Sequence, residues 1–322
     1  MIITRTPFRV SFAGGGSDLQ AYYGKRSYGA VVSAAIQSYM YIIIHPYFHD
    51  KIRIKYSKTE DAESVDEIQH PIVREVLRKV AVGKGIEIAS FADVPAGTGL
   101  GSSSSFTVGL LHALYAYKGE DVTKEKLARE ACEIEIELLK EPIGKQDQYA
   151  AAFGGLNYIR FNQDESVNIA PISLEQNGVA QLSEKLRLYY VGGIRSASNI
   201  LSQQKANLKQ EHKLAQLDKM VALADDLRDS FHEWNVDHLA KNLYQGWQYK
   251  QGLASGIGND HVGELMEQAL KLGAKGGKLL GAGGTGFLLL YADNHEEITK
   301  NLNCRTLPFL IDNEGSKVLP NL

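Results

Sequence analysis

The chain has 322 residues, of which 44% are hydrophobic and 23% are charged, and its net charge is −3. This composition is typical of an ordinary globular protein, and the charge excludes a general binder of nucleic acid or of anionic membrane surfaces. No apolar run approaches the roughly 20 residues of a membrane span. The N-terminus does not resemble a signal peptide, and two cysteines give no disulfide framework, so we expect a cytoplasmic protein.

The first half of the chain alternates strand and helix patterns. Strands are predicted at residues 2–6, 39–45, 51–55, 85–89 and 156–160, and helices at 17–23, 72–82, 102–117 and 123–140. The first helix is expected to begin with Ser17 as its N-cap.

Helical patterns dominate the second half. A strand at 186–191 is followed by helical stretches over 198–251, a helix at 260–272, a short strand at 278–280 and a strand at 287–291. The mixture predicts α+β layers. The polar segment 175–184 is the best candidate for a domain boundary.

The segment from Pro95 to Ser105 is the most informative part of the sequence. Gly97, Gly99 and Gly101 let the backbone approach a ligand closely, and the serines after them begin an apolar run with helical spacing. A glycine loop before a helix presents free N–H groups and the positive dipole end, so phosphate is the natural ligand. The segment is neither a Walker A loop nor a dinucleotide fingerprint. The alternative is a serine-capped helix after a flexible turn.

This segment resembles the phosphate loop of the GHMP kinases, whose pattern Pro-x-x-x-Gly-Leu-Gly-Ser-Ser it carries. Residues 6–18 resemble the first motif of that family and residues 278–286 resemble its third motif. The three motifs lie in the family's order and span almost the whole chain. Within the family, the form Phe-Arg-Val-Ser-Phe-Ala-Gly-Gly-Gly-Ser-Asp of the first motif is most similar to the D-glycero-D-manno-heptose 7-phosphate 1-kinases.

The resemblance implies an α+β fold of two domains with the active site between them. Residues 1–180 would form an ATP-binding domain like domain 2 of ribosomal protein S5, and residues 181–322 a ferredoxin-like domain. It also implies that ATP is bound by Pro95, Gly97, Gly99, Leu100, Gly101, Ser102, Ser103 and Ser104.

Asp147 and Arg9 are the catalytic residues that the resemblance implies. Asp147 would act as a general base, a role that contributes roughly 10²–10⁴-fold. Arg9 stands where the family has Lys or Arg, and it would keep Asp147 ionised and stabilise the transferring charge. The alternatives are an acidic residue in a helix's first turn and an ordinary salt bridge.

The resemblance also implies a Mg²⁺ site at Ser103 and Glu135. Ser102 and Ser104 are neighbouring candidates for the hydroxyl ligand. A neutral hydroxyl alone holds Mg²⁺ poorly, so a carboxylate should join it. Three nearby acidic residues compete with Glu135 for this assignment: Glu133, Glu137 and Glu141. A helix with four acidic residues is usually just a solvated face, which is the alternative.

Substrate contacts are expected in the two outer motifs and at one further anion-site pattern. The motif residues are Gly14, Gly15, Gly16, Ser17 and Asp18, together with Gly283 and Gly284, beside which Thr285 replaces a family glycine. Arg195 follows two glycines at a strand end and opens a helix, a second anion-site pattern. An ordinary capped helix is the alternative, and Lys25 and Arg26 are lesser candidates. Lys278 is expected to be a solvated strand-end lysine, with a phosphate contact as the alternative.

These features predict an ATP- and Mg²⁺-dependent sugar kinase of carbohydrate metabolism. The γ-phosphoryl group would go to the anomeric C1 hydroxyl of a sugar phosphate, best matched by D-glycero-D-manno-heptose 7-phosphate. No nucleic acid or membrane partner is expected, and a homodimer is compatible with the sequence. The alternatives are a kinase for L-fucose or galactose, and a non-catalytic ligand sensor. The sensor would have no need of the intact set Arg9, Ser103, Glu135 and Asp147.

Overall fold

A computed structural model describes residues 1–174, 176–193, 198–231 and 236–320. The strands are β1 (Ile2–Ala13), β2 (Tyr28–Pro46), β3 (Ile52–Lys55), β4 (Thr59–Ala62), β5 (Ile86–Ala92), β6 (Leu156–Asn162), β7 (Val167–Pro171), β8 (Leu186–Tyr190), β9 (Ala274–Leu279), β10 (Phe287–Ala292), β11 (Thr306–Pro308) and β12 (Lys317–Val318). The α-helices are α1 (Gln20–Tyr23), α2 (Pro71–Val80), α3 (Ser102–Tyr117), α4 (Lys124–Cys132), α5 (Gln146–Phe153), α6 (Gln176–Lys185), α7 (Ser198–Asn207), α8 (Glu211–Ser230), α9 (Val236–Gln251), α10 (Asp260–Lys271) and α11 (Glu296–Leu302).

The larger of two sheets is organised by the 19-residue strand β2. It pairs antiparallel with β1 along most of its length, with β6 through its first half and with β5 through its second half. The sheet extends to β3 and β4 beyond β5, and to β7 beyond β6. β-branched residues favour strands, and Ile42 and Ile44 are buried while Tyr41 and Ile43 on the opposite face are only partly so.

The smaller sheet has the antiparallel order β11-β8-β10-β9. All six residues of β10 are buried, as its continuous apolar sequence requires. Helix α9 packs closely on β9 because Gly276 has no side chain. A Cβ at Gly276 would lie 2.0 Å from the carbonyl oxygen of Ala240.

Helix α3 connects the sheet to the phosphate loop. It has the predicted bounds and packs against β1 and β2. Gly109 permits the close approach, since a Cβ there would lie 2.8 Å from Oγ1 of Thr6. Because β1 carries Arg9 and α3 begins at the phosphate loop, this packing fixes two parts of the candidate site relative to each other.

The C-terminal segment returns to the larger sheet. Strand β12 pairs with β1, and Ile311 forms an isolated bridge with Ile36. The hydroxyls of Thr6 and Ser316 lie 2.9 Å apart, and Ser316 also contacts Nδ1 of His112 at 3.0 Å. Strand β12 therefore forms the edge of the larger sheet next to β1.

Two predicted helices differ from the structure, and strands β1 and β2 extend well beyond the predicted 2–6 and 39–45. The first helix spans only Gln20–Tyr23 and does not use Ser17 as a cap, because the Ser17 hydroxyl donates to the carbonyl oxygen of Ala30 at 3.0 Å. The helix expected at 123–140 ends at Cys132 as an α-helix and continues as a π-helical turn over Glu133–Leu138. The division of the chain at residue 180 stays a prediction.

Both cysteines are free thiols, with Cys132 buried and Cys304 partly buried. In the part of the chain that the structure describes, no helix has the length and apolar character needed to cross a membrane.

Candidate active site

A cavity of about 1060 Å³ opens where elements of the two sheets meet. Of the residues that the sequence nominates, its wall contains Arg9, Gly15, Gly16, Asp18, Pro95, Gly97, Gly99, Gly101, Ser102, Ser103, Ser104 and Asp147. The other nominated residues that the structure describes are not part of this wall; they are Gly14, Ser17, Leu100, Glu135, Gly283 and Gly284. Arg195 lies outside the described residues.

The phosphate loop joins β5 to α3. Gly97, Gly99 and Gly101 have φ values of 77°, 84° and 77°, a conformation that favours glycine, and Gly101 occupies the N-cap position of α3. Leu100 is fully buried, and its carbonyl oxygen accepts from the Arg9 amide at 3.0 Å. The first amides of α3 have no partners within the helix and lie at Ser102 and beyond, on the cavity wall. This arrangement can bind phosphate oxygens.

The third glycine motif packs directly on the phosphate loop. A Cβ at Gly281 would lie 2.3 Å from Cα of Gly99, and one at Gly99 would lie 2.7 Å from the carbonyl oxygen of Leu280. Both positions also have positive φ. Gly283 and Gly284 instead contact Ile257, whose carbonyl oxygen accepts from the Gly284 amide at 2.8 Å. Glycine is therefore required where the two domains approach each other.

Arg9 and Asp147 form a two-pronged ion pair in the cavity. Nε of Arg9 donates to Oδ1 of Asp147 at 2.8 Å, and Nη2 donates to Oδ2 at 2.7 Å. The remaining guanidinium nitrogen donates to the carbonyl oxygen of Gly99 at 2.5 Å. The side chains are 10% and 26% exposed, so the carboxylate remains open to the cavity. The pair places a potential base and a fixed positive charge beside the phosphate loop.

Glu135 lies fully buried behind Ser103. The Ser103 hydroxyl donates to Oε1 of Glu135 at 2.6 Å, and the Gln148 amide donates to Oε2 at 2.8 Å. Burial raises the pKa of Glu135, and hydrogen bonds from Ser103, Ser104 and Gln148 oppose that rise. The π-helical turn contains this residue, and such turns are frequent at functional sites.

The competing acidic residues have other surroundings. Glu133 forms a surface ion pair with Lys79 at 2.8 Å, and Glu137 is exposed. Glu141 lines the cavity elsewhere and accepts from the Ser198 hydroxyl at 3.3 Å. Only Glu135 of the four lies against the phosphate-loop serines.

Asp18 joins the first motif to the start of α5. Its two carboxylate oxygens accept from the amides of Gly16 at 3.0 Å and Gln146 at 3.3 Å. Burial, and then the charge of Asp147, raise the pKa of Asp18. Gly14 lets the motif pass close to Ala30, where a Cβ would lie 1.9 Å from the carbonyl oxygen. Asp18 thus lines the cavity and also holds the segment that carries Asp147.

Helix α7 supplies a wall that the sequence did not nominate. Ser198, Leu201 and Gln204 recur at three-residue spacing and all line the cavity. Gln204 is 2% exposed, yet its Nε2 has no hydrogen-bond partner. This nitrogen lies against Gly16, where a Cβ would meet it at 2.4 Å. A buried donor without a partner is unfavourable in the free protein and suits a ligand acceptor.

The lesser anion-site candidates are engaged elsewhere. Lys25 donates to the carbonyl oxygen of Leu208 at 3.0 Å, and Arg26 pairs with Asp218 and Glu211. Neither belongs to the cavity wall.

Lys278 is buried, which corrects the expectation of a solvated lysine. It is 3% exposed, lines the cavity and donates to the carbonyl oxygen of Phe12 at 3.1 Å. Lys250 on α9 is also buried in the wall and donates to the carbonyl oxygen of Gly281. Their positions in the sequence, at a strand end and in a helix's last turn, gave no sign of burial.

One part of the cavity wall, called here the aromatic end, was not predicted. The rings of His70 and Phe106 stack with centroids 5.1 Å apart, and Tyr56 meets His70 edge-on at 4.9 Å. Phe91 and Met40 also line this end. These residues come from five separate segments, so no local pattern marks them.

Two family models match the chain. They are the GHMP kinases N terminal domain, over residues 69–155, and the GHMP kinases C terminal domain, over residues 227–308. Together they cover just over half of the chain. The first contains the phosphate loop, Glu135 and Asp147, and the second contains Lys250 and the third motif.

Several known proteins are similar over nearly the whole length. A D-glycero-alpha-D-manno-heptose 7-phosphate kinase of Campylobacter jejuni is 29% identical over 307 residues, covering 91% of this chain and 89% of the relative. A galactokinase of Pyrococcus furiosus is 24% identical, covering 92% and 91%. The crystal structure of a D-glycero-D-manno-heptose 1-phosphate kinase from Bacteroides thetaiotaomicron superposes with a TM-score of 0.81 at 26% identity, covering both chains completely.

The fold and the two family models therefore define a two-domain kinase, and the chain belongs to the GHMP kinase family. It is a phosphotransferase that uses ATP as donor and an alcohol group as acceptor. The predicted family and the α+β fold are confirmed.

Proposed function

We propose that the protein transfers the γ-phosphoryl group of ATP to the C1 hydroxyl of D-glycero-D-manno-heptose 7-phosphate, giving the 1,7-bisphosphate. The observation that carries the proposal is the Arg9–Asp147 pair, which lies directly beside the phosphate loop in the cavity wall. The substrate assignment is supported by the similarity to the Campylobacter jejuni kinase along 91% of the chain.

The reaction needs a positioned hydroxyl and stabilised charge more than covalent chemistry. Asp147 accepts the proton of the C1 hydroxyl, whose oxygen forms a bond to the γ-phosphorus. The bond from that phosphorus to the bridging oxygen breaks, and ADP leaves. Arg9 orients both carboxylate oxygens of Asp147 and stabilises the transferring charge. The amides at the start of α3 hold the phosphates of ATP.

Ser103 and Glu135 fit a magnesium ion. Mg²⁺ prefers oxygen ligands and commonly takes one or two carboxylates while phosphates and water complete its shell. Glu135 is a fully buried carboxylate without an ion pair among the described residues, and a cation beside it would offset that burial. Among those residues, no cluster of three His, Cys, Asp or Glu side chains could hold a metal ion. When bound, Mg²⁺ neutralises phosphate charge.

The two ends of the cavity suit the two substrates. The aromatic end, with Tyr56, His70 and Phe106, offers stacking surfaces to adenine. The other end carries Asp18 and the unpartnered Gln204 amide, which suit the hydroxyls of a sugar. Arg195 is proposed as the anchor of the 7-phosphate, since Lys25 and Arg26 have structural partners.

A coupled ADP-release assay over a panel of acceptors tests the proposal. The panel contains the heptose 7-phosphate, the heptose 1-phosphate, free heptose, galactose and L-fucose, because the names of the similar kinases differ in the phosphate position and in the sugar. We expect the 7-phosphate to give the highest kcat/KM.

Phosphorus NMR of the product should show a sugar 1-phosphate signal split by the anomeric proton. Phosphorylation at another carbon would contradict the proposed acceptor oxygen. Equal kcat/KM for free heptose would contradict anchoring by the 7-phosphate. Turnover of galactose or L-fucose above the heptose would favour the alternative sugars, and ATP binding without any turnover would favour a ligand sensor.

A further inference from the structure

Lys250 and Lys278 both lie in the cavity wall, and neither has a carboxylate partner among the described residues. They are 7% and 3% exposed, and each donates to a backbone carbonyl oxygen, of Gly281 and of Phe12. Among the residues that the structure describes, neither ammonium forms an ion pair. Buried charges in proteins are normally paired, because an isolated ion loses its hydration without compensation.

Burial and the neighbouring charges lower the pKa of both lysines. Burial, and then the Arg9 guanidinium, lower the pKa of Lys250 to about 8. Burial lowers the pKa of Lys278 well below its usual range, with Lys250 and Arg9 adding to the effect. Asp18 and Asp147 favour the charged form of Lys250, but Asp147 is already held by both prongs of Arg9. Arg9 and Lys250 therefore both face Asp147, which already pairs with Arg9, so a negatively charged ligand group beside Lys250 would stabilise its ammonium.

The location of Lys250 identifies which part of the ligand supplies that charge. Its ammonium is bound to Gly281, which packs on Gly99 of the phosphate loop. The carbonyl oxygen of Gly99 in turn accepts from Arg9. Lys250 thus approaches the Arg9–Asp147 pair from the C-terminal domain, next to the loop that holds the phosphates.

We infer that Lys250 is a further catalytic residue, whose ammonium leaves the Gly281 carbonyl to contact the γ-phosphoryl group during its transfer. Lys278 stays on the Phe12 carbonyl oxygen. Lys250 neither gives nor takes a proton in the step, which remains the one described above. The inference rests on the proposed phosphoryl transfer, but not on the identity of the sugar.

The test compares Lys250→Met, which keeps the length and removes the charge, with Lys250→Arg, which restores it. Lys241→Met, on the exposed side of the same helix, is the matched control. Turnover is followed by ADP release, and calorimetry gives the affinities for Mg·ADP and for Mg·AMP-PNP, a non-hydrolysable analogue that carries a γ-phosphate.

We expect Lys250→Met to lower kcat about 100-fold, as the loss of one preorganised donor commonly does. The affinity for AMP-PNP should fall about tenfold more than the affinity for ADP, because only AMP-PNP presents the γ-phosphate. Lys250→Arg should recover part of both losses, and Lys241→Met should match the wild type. The melting temperature of Lys250→Met should stay equal or rise, since a buried ammonium is removed.

Three results would overturn the inference: a kcat for Lys250→Met within threefold of wild type, equal losses of ADP and AMP-PNP affinity, or an increase confined to the KM of the sugar phosphate. A lowered melting temperature that Lys250→Arg fails to restore would indicate a structural role. The nucleotide titrations need no sugar. They therefore decide the role of Lys250 even if the heptose 7-phosphate proves not to be the acceptor.

Discussion

Replacing Asp147 by asparagine distinguishes the effect of the carboxylate's charge from the effect of its shape. Asparagine keeps nearly the same volume but carries no charge and cannot accept the proton of the acceptor hydroxyl. It also presents an NH₂ group to one of the two Arg9 nitrogens that now donate to the carboxylate at 2.8 and 2.7 Å. One of the two hydrogen bonds is therefore lost, and two donors face each other.

Two free energies follow from this geometry. A hydrogen bond to a charged group contributes about 1.5–3 kcal/mol, and the true loss lies below this because the Asp147 side chain is 26% exposed. Loss of a general base costs roughly 10²–10⁴-fold in rate, which is about 3–5 kcal/mol of activation free energy. We expect the effect on kcat to exceed the effect on stability.

The assay measures kcat by ADP release and the affinity for Mg·AMP-PNP by calorimetry. We expect kcat of Asp147→Asn to fall at least about 100-fold while nucleotide affinity changes little. Asp293→Asn is the control, because Asp293 pairs with Lys185 and Lys275 at the surface. A kcat within threefold of wild type would remove Asp147 from the mechanism. An equal loss of nucleotide affinity would assign it to binding.

Four further substitutions test other parts of the site. Glu135→Gln should raise the Mg²⁺ concentration for half-maximal activity about tenfold or more, whereas Glu133→Gln should not, since only the former is buried against a phosphate-loop serine. Gln204→Met should raise the KM of the acceptor about three- to tenfold and leave that of ATP unchanged, because it removes one neutral donor. Gly281→Ala should lower both the melting temperature and ATP affinity, since its Cβ would meet the phosphate loop at 2.3 Å. Arg195→Ala should raise the KM of the sugar phosphate about tenfold and spare free sugars.

For each of these four substitutions, one result would contradict the expected role. Equal Mg²⁺ dependence in Glu135→Gln and Glu133→Gln would indicate bulk charge and not ligation. A change in the KM of ATP with Gln204→Met would move that amide to the nucleotide side. Wild-type melting and ATP affinity in Gly281→Ala would show that the loop contact adjusts freely. If Arg195→Ala affects only ATP, the 7-phosphate is anchored by another residue.

The sequence predicted best those features that depend on neighbouring residues. The phosphate loop and α3 were recognisable because three glycines, the serines and the helical apolar run are contiguous. Helix α2 and strand β3 were recognisable from their periodicity. Glu135 could be nominated only with competitors, since four acidic residues share one short segment. The structure distinguishes them by burial, which composition does not reveal.

What the sequence did not reveal depends on distant contacts. Ser17 reads as a helix cap, but Ala30 of the neighbouring strand accepts its hydroxyl. Lys250 stands in a helix's last turn, where lysine is favourable at the surface, and only the packing of α9 on β9 places it in the wall. The aromatic part of the cavity wall needs side chains from β2, the β3–β4 turn, the N-cap of α2, β5 and α3 to meet, which no local periodicity encodes.

The pairing of β12 with β1 has a consequence during protein synthesis. At roughly 5–20 residues per second, the ribosome makes β1 some tens of seconds before its partner at residues 317–318. Throughout this interval the outer edge of β1 presents unpaired N–H and C=O groups, a template for pairing with other chains. The strand that carries Arg9 therefore keeps part of its edge open to other chains until residues 317–318 have been made and have paired with Thr4 and Arg5.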